Sequence, residues 1–84
     1  MLAYNHQVMS SIVWDQSLEK GGILLCIQIT EDGPNSFTFS EQGPLPPGVA
    51  GMEPRSFKTK NEAMRYAEEN YIPGRRTQGW QLKN

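Results

Sequence analysis

The sequence is poor in the side chains that most enzymes and metal sites use. It contains one cysteine, Cys26, and one histidine, His6, among 84 residues. One cysteine cannot form an intrachain disulfide, which suits a reducing compartment. The two residues cannot supply the three or four ligands that zinc takes, so we expect no metal or other cofactor. Cys26 lies within an apolar segment, where we expect a small hydrophobic residue and not a nucleophile.

Long hydrophobic runs and phosphate-binding motifs are also absent. No apolar run approaches the ~20 residues of a membrane-spanning helix, and the first residues do not resemble a secretion signal. The glycines lack the spacing of a P-loop or a dinucleotide-binding fingerprint. The carboxylate pairs Glu31-Asp32 and Glu68-Glu69 are adjacent in sequence and point in different directions, which does not favour acid–base catalysis. These absences predict a cytoplasmic protein without enzymatic activity.

Length and charge predict one domain with two differently charged sides. A chain of 84 residues has no room for a second core, so we expect residues 1–84 to form a single domain. Residues 1–53 contain one basic and six acidic residues, a net charge of −5. Residues 54–84 contain seven basic and three acidic residues, a net charge of +4. The opposite signs predict attraction between these two parts of the chain.

One segment has the start, the buried face and the end of a helix. Thr59 and Glu62 have the spacing of a capping box, which predicts that a helix begins after Thr59. Residues at three- and four-residue spacing then predict one buried face. Pro73 predicts a helix end near residue 70 or 71 and a turn over residues 73–76. The side chains expected on the buried face are those of Ala63, Met64, Tyr66, Ala67, Asn70 and Tyr71.

Four segments have the alternation of β-strands. Residues 23–30 form the clearest one, and residues 36–40 follow after a turn, which predicts an antiparallel hairpin. Residues 7–14 alternate more weakly, and residues 77–83 resume an extended pattern after the helix. Residues 15–22 are expected to be a polar connection that is too long for a two-residue turn.

This order of elements predicts an α+β fold, in which an antiparallel sheet of about four strands (β-β-β-α-β) carries one helix on one face. The other face is predicted to be only partly polar, which leaves room for a homodimer or another partner. The residues expected on that face are Met9, Val13, Leu24, Cys26 and Gln28. The predicted core consists of Val8, Ile12, Trp14, Ile23, Leu25, Ile27, Ile29, Phe37, Phe39, Ala63, Tyr66, Ala67, Ile72, Trp80 and Leu82.

Residues 42–54 are predicted to form a long loop. Four prolines and three glycines exclude a helix or a strand there. Loops of this length within a compact domain are usually functional or disordered. The sequence Pro44-Leu45-Pro46-Pro47 matches a minimal PxxP ligand, but a rigid loop is the favoured interpretation.

By elimination, these features favour a small non-enzymatic protein-binding module, such as an adaptor, a regulatory subunit or an inhibitor of bacterial or phage type. The predicted partner contacts are Arg75, Arg76, Leu45, Val49 and Met52. The alternative is a nucleic-acid-binding protein that uses the basic second part of the chain. A net charge of −1 makes this alternative the weaker one, because nucleic-acid-binding domains are usually basic. Its predicted contacts are Lys58, Lys60, Arg65, Arg75, Arg76 and Lys83.

Overall fold

The structure is a computed structural model that describes residues 10–83. It is an α+β fold in which a five-stranded antiparallel sheet is covered on one face by a helix, so the predicted class is confirmed. The strands lie in the order β4-β3-β2-β1-β5. Their bounds are β1 (Ser11–Lys20), β2 (Ile23–Gly33), β3 (Ser36–Gln42), β4 (Arg55–Phe57) and β5 (Gln81–Lys83). The helix consists of α1 (Lys60–Tyr66), a π-helical segment (Ala67–Tyr71) and α2 (Ile72–Thr77).

Strands β1 and β2 form a long hairpin that is closed by the two-residue turn Gly21-Gly22. The pairing is antiparallel from Ser11 to Lys20. Gly21 and Gly22 have φ angles of 57° and 84°, the left-handed conformations that a type I′ turn requires and glycine adopts readily. The prediction of a polar connection over residues 15–22 is therefore wrong. The polar residues of that segment lie in a strand, and the glycine pair is the turn.

The core lies between the sheet and the helix, as predicted. Leu25, Ile27 and Ile29 of β2 are fully buried, whereas Leu24 and Cys26 are exposed on the opposite face. Partly buried hydrophobic residues pack against this core, and four of the predicted core residues (Trp14, Ile23, Phe37 and Tyr66) belong to this group. The buried residues of the core are Leu18, Leu25, Ile27, Ile29, Phe39, Ala63, Ala67, Tyr71, Ile72 and Trp80.

Two core predictions, Ile12 and Leu82, and the predicted placement of Val13 on the opposite face need correction. Ile12 is 57% exposed, and Val13 packs against the core instead of lying on the opposite face. The cause is a β-bulge between Ile12 and Trp14, which shifts the alternation of β1. Leu82 is 37% exposed because it lies in the three-residue edge strand β5. Val8 and Met9 lie outside the described residues.

The face of the sheet opposite the helix is mainly polar. The register places side chains with hydroxyl, thiol and amide groups in rows across β1, β2 and β3. A polar outer face is usual in an antiparallel sheet with one covered face. The rows include Ser17, Cys26 and Gln42 in one line and Asp15, Gln28 and Ser40 in the next.

The helix begins where the sequence predicts. The Thr59 hydroxyl accepts a hydrogen bond from the Glu62 N–H at 3.1 Å. The Glu62 carboxylate accepts one in return from the N–H of Lys58 at 3.3 Å, one residue before the cap. Two backbone donors at the helix start are therefore satisfied.

The helix does not end at residue 70 or 71, which corrects the predicted turn over residues 73–76. The Ile72 N–H donates to the Ala67 carbonyl, five residues back, so the backbone widens into a π-turn. Pro73 then falls in the first turn of α2, where its missing N–H costs little. Arg75 and Arg76 are therefore helical residues.

The helix ends instead at Gly79, in a Schellman motif. The N–H of Trp80 donates to the Arg75 carbonyl, and that of Gly79 donates to the Arg76 carbonyl. Gly79 has the left-handed φ of 99° that this motif requires. The Lys20 ammonium also donates to the Gln78 carbonyl at 2.5 Å, so the β1–β2 hairpin contacts the helix C-terminus. In the part of the chain from residue 10 to residue 83, no helix has the length and apolarity needed to cross a membrane.

Residues 43–54 contain no helix or strand, as predicted, but they are followed by β4, which was not predicted. The Val49 N–H donates to the Pro46 carbonyl at 3.1 Å. Pro47 and Gly48 occupy the central positions of this turn, and Gly48 has a φ of 83°. These are the features of a type II turn, so the Pro-Gly sequence itself shapes the loop.

A cluster of hydroxyl groups surrounds Asp32 at the end of β2. The carboxylate accepts hydrogen bonds from Thr38 at 2.5 Å, Ser10 at 2.8 Å and Thr30 at 3.3 Å. These bonds favour the charged carboxylate and lower the pKa of Asp32, with the bond from Thr38 contributing most. The cluster joins the start of β1 to the β2–β3 hairpin.

We predict an acid-dependent loss of stability that comes from Asp32. Its pKa is lower in the folded than in the unfolded chain, so its contribution is present at neutral pH and is lost as the pH falls below about 4. Asp32→Asn should remove this part of the pH dependence, and Thr38→Val should reduce it. Urea denaturation at a series of pH values measures the effect. An unchanged acid dependence in Asp32→Asn would contradict the assignment.

The same substitution at two glycines should change stability in opposite directions. Gly74 is exposed within α2, and an added Cβ would meet nothing within 4 Å. Gly74→Ala should therefore raise the free energy of unfolding by about 0.5–1 kcal/mol through its helix propensity. Gly22→Ala should lower it by about 1 kcal/mol, because alanine is strained at a positive φ. Urea denaturation of both variants tests the two signs.

Candidate functional site

The candidate site is built around Glu41, a carboxylate on the helix-covered face of the sheet. Glu41 follows Phe39 by two residues in β3, so both side chains lie on the same face. Its register partner in β2 is the buried Ile27. The Glu41 side chain is only 6% exposed. A carboxylate in this position is stable only if it is paired and hydrogen-bonded.

Three donors from different segments meet at Glu41. Arg75 of α2 places Nη2 at 2.6 Å from Oε1 of the carboxylate. The Tyr71 hydroxyl donates to the same oxygen. The backbone N–H of Met52, in the loop, donates to Oε2 at 2.7 Å. Glu41 therefore connects the sheet, the helix and the Pro/Gly loop.

The guanidinium of Arg75 is satisfied within the fold. Its Nη1 donates to the side-chain oxygen of Gln78 at 2.9 Å, and its Nη2 also donates to the Ala50 carbonyl at 3.2 Å. Its Nε donates to the Tyr71 hydroxyl at 3.3 Å. Arg75 is 7% exposed as a residue. The bond to Ala50 and the bond from Met52 to Glu41 fix the loop at two points.

Burial and charge set the protonation of this cluster. Burial raises the pKa of Tyr71, and its hydrogen bond to the Glu41 carboxylate raises the pKa further, so the phenol stays neutral and donates. Burial acts to lower the pKa of Arg75, but its bonds to Tyr71 and Glu41 outweigh this effect and the pKa is raised. Arg75 is therefore a charged donor in this cluster, and Tyr71 is a neutral one.

A shallow, open cleft of about 240 Å³ lies between the loop and the helix and is here called the loop–helix cleft. The Met52 thioether and the Tyr66 ring give it apolar walls, and the sulfur lies 3.9 Å from the Tyr66 hydroxyl. The buried Tyr71 and Arg75 lie at its base. Because Gly74 has no side chain, the space above it stays open. The residues that line the cleft are Met52, Tyr66, Asn70, Tyr71, Gly74, Arg75 and Gln78.

The structure brings two of the five predicted partner contacts together in this cleft. Arg75 and Met52 line it, but Arg75 is bonded to its own chain and is not the exposed cation that the sequence suggests. Leu45 packs against the core, and Val49 is half-buried at the end of the type II turn. Arg76 is exposed on α2 and does not line the cleft.

The six predicted nucleic-acid contacts do not converge on one surface. Lys58 and Lys60 lie at the start of the helix, whereas Arg76 lies near its end, about 24 Å away at ~1.5 Å per residue. The remaining three are engaged within the chain. Arg65 pairs with Glu69 at 3.6 Å, Lys83 pairs with Glu19 at 3.5 Å, and Arg75 pairs with Glu41.

A second depression, of about 480 Å³, lies on the polar face of the sheet. It contains Cys26, whose sulfur lies 3.7 Å from the Ser17 hydroxyl. This cysteine is exposed, so the prediction that it packs as a small hydrophobic residue is wrong. All of the residues that line the depression belong to strands of the sheet. His6 lies outside the described residues, and among residues 10–83 no three His, Cys, Asp or Glu side chains are placed to hold a metal ion.

Sequence reasoning missed Glu41, Tyr71 and Gln78 as members of the site. Two signals could have found Glu41 and Tyr71. Glu41 continues the alternation of Phe37 and Phe39, which places a charge on a buried face and indicates a buried ion pair. Tyr71 and Arg75 are four residues apart, which places them on one face if the helix continues through Pro73.

No known protein family, curated protein or solved structure matches the chain.

We predict that the buried pair contributes strongly to stability. Arg75→Met leaves the Glu41 carboxylate buried without its cation and should lower the free energy of unfolding by about 3 kcal/mol. Arg65→Met is the matched control, because Arg65 and Glu69 are 73% and 61% exposed and such pairs contribute less than about 1 kcal/mol. Urea denaturation compares the two. Equal losses in the free energy of unfolding would contradict the prediction that the buried pair contributes more than the exposed one.

Proposed function

We propose that the protein is a small non-enzymatic protein-binding module, of the adaptor, regulatory-subunit or inhibitor type, and that the loop–helix cleft receives a side chain of the partner. The observation that carries this proposal is the attachment of a surface loop to a buried ion pair. Arg75 bonds to the Ala50 carbonyl, and Glu41 bonds to the Met52 N–H. A wall that is already fixed loses little conformational entropy on binding.

The size of the cleft supports a side chain as its occupant. Small-molecule sites usually measure about 300–1,000 Å³ and enclose most of the ligand. A cleft of about 240 Å³ lies below this range but can hold one large side chain. Protein interfaces often depend on such an anchor in a pocket.

The chemistry of the cleft supports an anchor with an apolar body and a polar end. Met52 and Tyr66 offer apolar contact, and thioethers adapt well to different shapes. Asn70 and Gln78 add side-chain amides, which can donate and accept hydrogen bonds. The Arg75 charge is compensated by Glu41, so the base of the cleft does not demand an anion.

A substitution that fills the cleft tests the proposal. A Cβ at residue 74 would meet nothing within 4 Å, so Gly74→Trp should place its indole over the cleft. A partner captured from a cell lysate by the immobilised wild-type protein should bind at least about tenfold more weakly to this variant. Gly74→Ala is the matched control and should bind as the wild type does. Circular dichroism confirms that both variants are folded.

Mass spectrometry and nucleic-acid staining of the captured material decide the outcome. Capture of a protein by the wild type and Gly74→Ala, but not by Gly74→Trp, supports the proposal. Equal capture by all three contradicts the cleft as the contact. Capture of nucleic acid alone contradicts the protein-binding function.

A further inference from the structure

The outer edge of β4 shows how a partner can attach to the backbone. Among residues 10–83, β4 pairs with β3 alone and is the last strand at its side of the sheet. Arg55 and Ser56 are both exposed. The outward backbone N–H and C=O groups of this strand therefore face solvent. Such an edge is a template for an additional strand from another chain.

A groove of about 270 Å³ runs beside this edge, between β4 and the helix. Its lining consists of Phe57, Glu62, Arg65, Tyr66, Glu69 and Asn70. Tyr66 and Asn70 also line the loop–helix cleft, so the groove and the cleft adjoin along one flank of the helix. The Phe57 and Tyr66 rings lie 5.6 Å apart between centroids. They provide an aromatic surface for the side chains on one face of an added strand.

The exposed side chains around β4 are mainly basic. The segment from residue 53 to residue 60 contains three basic residues and one acidic residue, Glu53, a net charge of +2. Arg55, Lys58 and Lys60 are exposed, and in the described part of the chain none of them forms an ion pair. The Arg55 guanidinium lies 4.7 Å from the centre of the Tyr66 ring, directly beside the groove.

The two glutamates that line the groove are already engaged. Glu62 accepts the N–H of Lys58 as part of the helix cap, and Glu69 pairs with Arg65. They therefore compensate the positive charge near β4 only in part. The charge of this flank favours a partner segment that carries carboxylates.

We propose that the partner presents an extended acidic peptide, which adds to the outer edge of β4 as a further strand and places alternate side chains in the groove. This inference rests on the proposed protein-binding function and specifies the chemistry of the partner. Pro54 has no N–H and the Lys58 N–H is bonded to Glu62, so the pairing is limited to β4 itself, residues 55–57. A helical partner segment would leave the β4 backbone unpaired, whereas an extended one satisfies it.

Selection from a phage-displayed library of random 12-residue peptides tests the inference. The immobilised protein should enrich acidic peptides in which apolar residues alternate with polar ones. A synthetic peptide with the enriched sequence should slow hydrogen exchange at the backbone N–H groups of β4 that point away from β3. Enrichment of basic, helix-patterned or proline-rich peptides, or of none, overturns the inference. A doubled mass in light scattering of the protein alone, with β4 protected, would identify a second copy as the occupant and also overturns it.

Charge-reversal variants test the basic edge separately. Lys58→Glu and the double variant Arg55→Glu/Lys58→Glu should bind the selected peptide about tenfold more weakly or worse, and the loss should shrink at high salt. Arg76→Glu makes the same change of charge at the other end of the helix and should stay within about twofold of the wild type. Lys58→Glu alters an exposed side chain, so it stays informative if the Arg55 change disturbs the Tyr66 contact.

The two proposals fail in distinguishable ways. If a lysate partner is sensitive to Gly74→Trp but not to Arg55→Glu/Lys58→Glu, the added-strand inference is wrong and the protein-binding function stands. If neither variant changes the capture of a protein, the cleft and the β4 edge are both wrong as contacts, whereas capture of no protein contradicts the protein-binding function itself.

Discussion

The fold depends on one buried carboxylate that is shared by three segments. Hydrophobic contacts alone would pack the helix and the loop against the sheet, but they are non-directional and would not fix the position of either. Glu41 fixes these positions, because its two oxygens accept hydrogen bonds from a guanidinium, a phenol and a backbone N–H. Two of the donors belong to the helix and the third to the loop, so the carboxylate sets the relative position of sheet, helix and loop.

The charge asymmetry of the chain has a direct structural counterpart. Of the three ion pairs that the described residues form, two join the acidic first part to the basic second part: Arg75 with Glu41, and Lys83 with Glu19. The exposed pair of Lys83 and Glu19 contributes little to the stability of the fold. The buried Arg75 pair contributes through its hydrogen bonds, and its loss would leave an uncompensated charge. The composition predicts a general attraction between the two parts of the chain. In the structure, the main contact of this kind is the buried pair of Arg75 and Glu41.

Patterns within short stretches of sequence predicted much of the fold, whereas features that depend on residues far apart in the chain were missed. The alternation of β2 and the Thr59 cap are local, and both are confirmed. The extent of β1 was missed because its outward residues are polar, so the strand resembles a connection. The continuation of the helix through Pro73 depends on the π-turn before it, which places the proline where its missing N–H costs little, and the sequence pattern did not indicate that turn. Arg75 and Met52 were named from the sequence as contacts, but their bonds to Glu41 join residues far apart in the chain.

The π-turn has a consequence for how the sequence can vary. A π-turn is equivalent to one residue inserted into an α-helix, and it rotates everything that follows by about 100°. Tyr71 and Arg75 reach Glu41 in this rotated phase. A deletion of one residue from Ala67–Tyr71 would restore a regular helix and turn both side chains away from the carboxylate. The phase of the helix, and not only its composition, therefore determines where a loop from an earlier part of the chain is placed.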